Sequence, residues 1–250
     1  MHILKGYTKQ EISWMMYDWA NSAHSVIIVT LLPIFFDTVA GYTADSVSSM
    51  STWGYATSIA MLIVALAAPF LGVFGDIRGM RKKLFSFFML LGVAACAGMA
   101  FTPGMDFTSG PVAAGKVASL ILVLYIVSVI GFDASAIYYD AFLTDVTTED
   151  RMDKVSTMGY GLGYIGGSTI PLLIFLIMNL VGVPMLTCLA FVFGLTAVWW
   201  LAFSLPLLKN CEQTSGKPYE KGDVARSIKG VGTTCLLYTS RAHETRSNLV

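Results

Sequence analysis

The amino-acid sequence predicts an all-α integral membrane protein built as a bundle of six transmembrane helices. Three observations carry that expectation. The 250-residue chain is 55% hydrophobic and only 13% charged, whereas soluble domains carry about 25% charged residues. Its mean hydropathy is +0.67. Its apolar residues fall into six long runs, and its basic residues fall almost entirely into alternate loops between them.

The six expected spans are residues 12–36, 52–74, 84–101, 116–139, 155–181 and 183–208. At about 1.5 Å per residue each is long enough to cross a hydrocarbon core of about 30 Å. No water satisfies the backbone there, so the spans must be helical. The first run is too long for the core of a cleavable leader and lacks a small-residue cleavage site, so none is expected. Formal net charge is zero, and nothing in its distribution points to a nucleic-acid partner. Cys96 and Cys188 lie in apolar runs and Cys211 in a polar tail, so no disulfide framework is inferred.

Orientation follows from the basic residues. Lys5 and Lys9 precede the first span; Arg78, Arg81, Lys82 and Lys83 crowd the short loop after the second; Arg151 and Lys154 follow the fourth. Lys209, Lys217, Lys221, Arg226 and Lys229 follow the sixth. The alternate loops hold none, with Lys116 at one edge. By the positive-inside rule both ends are expected to be cytoplasmic. Residues 209–234 then open a central cytoplasmic loop. From Cys235 the run CLLYTSRAHETRSNLV departs from the preceding composition and resembles the translation of a transposon adapter used in preparing sequencing libraries. The expectation is that residues 235–250 are non-native, that Arg241, His243 and Arg246 carry no function, and that the natural chain is longer.

Within the first span, Trp14, Asp18, Asn21, Ser22 and Ser25 share one helical face. A mid-helix Asp costs roughly 2.5–3.5 kcal/mol to insert, enough to demand a partner or a water-filled cavity. Asp133 and Asp140 repeat the feature on the fourth helix, seven residues apart and so on one face. Helices one and four run in opposite directions, which places Asp18 and Asp133 at similar depth and suggests one shared cavity. Asp18, Asn21, Ser22, Ser25 and Asp133 are the candidate substrate or ion residues. A buried polar pair fixing helix packing is the plainer reading of Asp18 and Asn21. Asp140 reads equally as a solvated helix end. His24 lies off the stripe and reads as packing. Tyr17, Tyr138 and Tyr139 serve as either interfacial or ligand residues.

Two motifs mislead. Gly161, Gly163 and Gly166 spell GxGxxG, but inside a membrane span that pattern does not bind a dinucleotide. Gly159, Gly163 and Gly167 recur every four residues and predict a smooth face for close helix approach, with a kink expected at Pro171. Tyr17-Asp18, Tyr139-Asp140 and Gly75-Asp76 are similar to intramembrane aspartyl protease signatures, but the required GxGD is absent because Val73 replaces its first glycine. HExxH and GxSxG are absent too, so no enzyme, metal site or cofactor is expected.

Gly72, Asp76, Gly79, Arg81 and Lys82 resemble the loop motif between helices two and three of the major facilitator superfamily. The runs YDWANSA at 17–23, AFLTDV after helix four and GYGLGYIGG in helix five are similar to its vacuole-effluxer branch, the autophagy-related amino-acid effluxer-like transporters. The resemblance covers residues 12 to about 208 and implies the N-terminal half of a twelve-helix fold, with a six-helix C-terminal partner missing. It further implies secondary transport of small solutes, amino acids favoured, by alternating access, with helices one and four lining the cavity. The motif loop would gate the cytoplasmic side: Asp76 would face a helix N-terminus of the missing half, and Arg81 would pair with nearby carboxylates. The membrane would be the inner membrane of a bacterium or the vacuolar membrane of a eukaryote. Helix four carries no Arg and helix five lacks the usual Gly-Pro antiporter pattern, so proton or other ion coupling and direction stay open. The alternative class is a complete six-helix scaffold or channel subunit, with an intramembrane protease ranked last.

Overall fold

The computed structural model describes residues 5–43, 49–218, 230 and 233. Lys221, Arg226, Lys229 and the expected foreign tail at 235–250 lie outside the described residues. Among the described residues seven α-helices build six spans: α1 (Lys9–Ala40), α2 (Ser49–Gly75), α3 (Arg81–Met99), α4 (Pro111–Val146), α5 (Met152–Leu162), α6 (Thr169–Leu180) and α7 (Met185–Asn210). A π-helical segment, Gly163–Ser168, joins α5 to α6 within the fifth span. All six spans are long and apolar enough to cross a membrane.

Local chemistry explains the ends. Thr8 caps α1 through its side chain and Glu11 reaches back to the Thr8 amide, a reciprocal capping box. Pro111 opens α4, where its missing N–H is harmless. The helix then runs on for 36 residues, well past the apolar stretch. Asp140 is exposed and lies in the last two turns of this helix. The interruption expected at Pro171 moves. The chain departs from α geometry just upstream, where Gly163, Gly166 and Gly167 tolerate the wider turn, and Thr169 Oγ1 donates to the Tyr164 carbonyl at 2.9 Å.

α1 is the central helix, packed on α7, the π segment, α4 and α5. Its antiparallel register with α4 is set by three contacts: Trp14 with Tyr139, Tyr17 with Ser135 and His24 with Ser128. A wholly buried aromatic group runs from Tyr17 of α1 through Phe85 to Phe142, with Trp200 Nε1 donating to the Tyr17 hydroxyl at 3.4 Å. α3 and α4 meet through glycines: a Cβ on Gly131 would lie 2.7 Å from Gly92 Cα, and the Trp200 ring covers Gly92. Residues 5–8, 76–80, 147–151 and 211–218 converge at one end of the bundle, here called the basic end.

Candidate functional site

Asp18 is half-buried in α1, and Tyr139 Oη donates to its Oδ2 at 2.8 Å. Tyr139 is fixed in turn. Its ring stacks on Trp14 with centroids 4.3 Å apart, and Trp14 Nε1 donates to its carbonyl at 2.9 Å. The opposite wall is the fifth span, where a Cβ on Gly159 of α5 would stand 2.7 Å from Asp18 Oδ2 and one on Gly163 of the π segment would stand 2.6 Å from Ser22 Oγ. Gly167 abuts the Trp19 carbonyl and Gly166 the Trp19 ring. The polar stripe of α1 and the glycine face of the fifth span are therefore two sides of one contact. The sequence treats them as separate features, and only the packing joins them.

The remaining stripe residues divide. Asn21 is buried, Ser22 accepts at its carbonyl from Ser168 Oγ at 3.3 Å, and Ser25 is exposed. Asp133 lies opposite residues 19 and 20 in the α1–α4 register, so it is within about 3 Å of the Asp18 level along the axis. Among the described residues no hydrogen bond joins the two, and Asp133 Oδ2 is buried without a partner. An unsatisfied buried carboxylate oxygen in a span demands an explanation. Tyr160 and Tyr164, exposed and hydroxyl to hydroxyl at 3.1 Å, form a polar step on the fifth span. Their four-residue spacing was the available signal, and the sequence reading passed over it. Of the tyrosines left open, Tyr139 meets Asp18, Tyr17 is buried against Ser135 at 2.7 Å, and Tyr138 donates to the Leu71 carbonyl at 3.0 Å. His24 packs on Phe132 and Trp200.

At the basic end, Arg81 is 4% exposed and lies inside a cage rather than in a loop. Its Nη1 pairs with Asp145 Oδ2 and donates to the Ala141 carbonyl at 3.0 Å and to Ser215 Oγ at 3.1 Å. Asp76, by contrast, has an 81% exposed side chain, 3.8 Å from Arg81 Nη2. Gly79 adopts φ +81°, a left-handed conformation that glycine takes without strain. Gly72 faces open space, and Lys82 is half-buried beside Arg81. Asp145, in AFLTDV, is the carboxylate that the expected pairing of Arg81 meets. A second ion pair has no counterpart among the sequence expectations: Arg151 grips the buried Glu11 through Nε and Nη2, each at 2.8 Å.

The family described as vacuole effluxer Atg22 like matches residues 7–244. The chain is 39% identical over 240 residues to a Bacillus subtilis (strain 168) protein named as an uncharacterized MFS-type transporter, YxiO. That alignment takes in 93% of this chain and 53% of the relative, so the chain spans about half the length of the curated relative it matches. No solved structure matches it. With six apolar helical spans and a family match over nearly its whole length, this multi-pass membrane chain belongs to the vacuole effluxer Atg22-like family.

Proposed function

We propose that this chain is the N-terminal half of a secondary transporter of small solutes, with amino acids as the favoured class, working by alternating access against a second six-helix half. Asp18 contacts the substrate or a coupling ion, with Asn21, Ser22 and Ser25 beside it and Asp133 assisting at the same depth. Gly72, Asp76, Gly79, Arg81 and Lys82 gate the basic end, which is cytoplasmic along with both chain ends. The protein moves solute across the lipid bilayer and performs no covalent chemistry.

One observation supports this reading above the rest: a carboxylate in the membrane-spanning part of α1 is held by a neutral hydroxyl and left without an ion pair among the described residues. A carboxylate kept for packing would be paired or fully hydrogen-bonded, because leaving it otherwise costs several kcal/mol. Asp18 has one side against small glycines and its charge available to a bound cation or ammonium group.

The test is transport by the full-length protein in proteoliposomes with a panel of radiolabelled amino acids. Saturable uptake and counterflow are expected for at least one. Asp18→Asn should lower the rate by about ten-fold or more, as expected for losing a charge-assisted contact, with expression unchanged. Flux that never saturates would indicate a channel subunit, and undiminished transport by Asp18→Asn would remove its role.

A further inference from the structure

The loop between α2 and α3 has its backbone polar groups taken up by one short segment, residues 211–218, which follows α7. Gln213 does most of this. Its Oε1 accepts from the Gly79 amide at 2.9 Å and the Arg81 amide at 3.2 Å, and its Nε2 donates to the Gly75 carbonyl at 3.0 Å. Lys217 adds a two-way backbone bridge: the Arg78 amide donates to its carbonyl at 3.0 Å, and its own amide donates to the Asp76 carbonyl at 3.1 Å. Gly216, at φ +115°, lets the segment lie so close that a Cβ there would stand 2.8 Å from the Asp76 carbonyl oxygen. The segment is anchored at its other side. Asp145 Oδ1 accepts from the Thr214 amide at 3.1 Å, the Thr214 hydroxyl at 2.9 Å and the Ser215 amide at 2.8 Å.

The consequence concerns Asp76. Its backbone is pinned on the inner side by Lys217 and Gly216, so its carboxylate is turned outward. The Arg81 side chain cannot hold that loop by itself, because its closest partners are on α4 and on the same segment.

We infer that Gln213 is a positioning residue of the gate: through residues 211–218 it holds the 75–81 loop in the shape that presents Asp76 outward. This rests on the gate reading given above. Gln213 bonds the backbone of Gly75, Gly79 and Arg81 and not Asp76 itself, so it acts through the shape of the loop that carries Asp76.

The experiment uses the full-length protein in inverted membrane vesicles, with a Ser25→Cys reporter and a membrane-impermeant maleimide applied from the basic-end side. Asp76→Asn should raise the labelling rate. Gln213→Ala should raise it by about ten-fold, from loss of three hydrogen bonds that hold one conformation, with no further rise when combined with Asp76→Asn. Gly216→Ala, whose methyl would stand 2.8 Å from both the Asp76 carbonyl oxygen and Gln213 Nε2, should reproduce the effect. Gln213→Glu keeps the acceptor for both amides and should restore part of the closure. An unchanged rate in Gln213→Ala beside a raised rate in Asp76→Asn would overturn the inference and leave the gate intact, as would effects of the two that simply multiply. An unchanged rate in Asp76→Asn would remove the gate itself, and the inference with it.

Discussion

Asp18 is held by two neighbours of opposite character, a hydroxyl that donates to it and a glycine that stays out of its way. Each can be altered alone. Tyr139→Phe keeps the ring stacked on Trp14 and removes only the donor to Asp18. A hydrogen bond to a charged group contributes about 1.5–3 kcal/mol, so half-saturation in the transport assay should weaken by about ten-fold or more while thermal stability changes little. Gly159→Ala places a methyl 2.7 Å from Asp18 Oδ2 and must displace the carboxylate or part the helices. It should lose transport as Asp18→Asn does. Gly161→Ala, two residues on with nothing within 4 Å, should transport normally in the same assay. Asp18 was legible in sequence because ionised groups are so costly in a span. Tyr139 was not, because a tyrosine near a helix end is ordinary in any membrane protein, and its value here depends on a contact 121 positions away.

Two kinds of helix contact hold the elements together. Where α3 meets α4, Gly92 and Gly131 let the backbones nearly touch, with the Trp200 ring packed over Gly92. Gly131→Ala would force overpacking that typically costs about 1–3 kcal/mol, read as a lower melting temperature in detergent. Neither glycine stands out in sequence, since membrane helices carry many. The other kind is ionic, at the basic end. Both side chains of the Arg81–Asp145 pair are at most 5% exposed. Arg81→Ala strands a buried carboxylate and should cost about 3–5 kcal/mol in the same melt, whereas the joint replacement Arg81→Ala with Asp145→Ala should recover a good part of it. The repeat of Gly159, Gly163 and Gly167 did announce a close-packed face, because only small residues at that spacing leave a groove. Which helix fills the groove could not be read, since several helices offer small residues. The π segment was likewise hidden: glycines permit it without requiring it.

At the scale of the molecule, the bundle gathers its short polar segments at one end and leaves α2 and the tyrosine step of the fifth span open. If a second half completes the site, residues 1–218 reconstituted alone should give uptake no higher than empty liposomes, and co-expression with the remainder of the natural chain should restore it. By itself the sequence determined the membrane class, the six spans and the family. Each follows from quantities local in the chain: the length of an apolar run, the alternation of basic loops, and a short motif at fixed spacing. It also marked Asp18 and Asp133, because a carboxylate in an apolar run is conspicuous without any structure. Only the tertiary structure decided that the Asp18 stripe lies against the glycine face, that Arg81 closes on Asp145, and that Gln213 shapes the loop before it. These pairings join residues 64 to 148 positions apart. They arise because helices in lipid are sorted by which surfaces fit and which polar atoms find partners, and neither property is written in one segment alone.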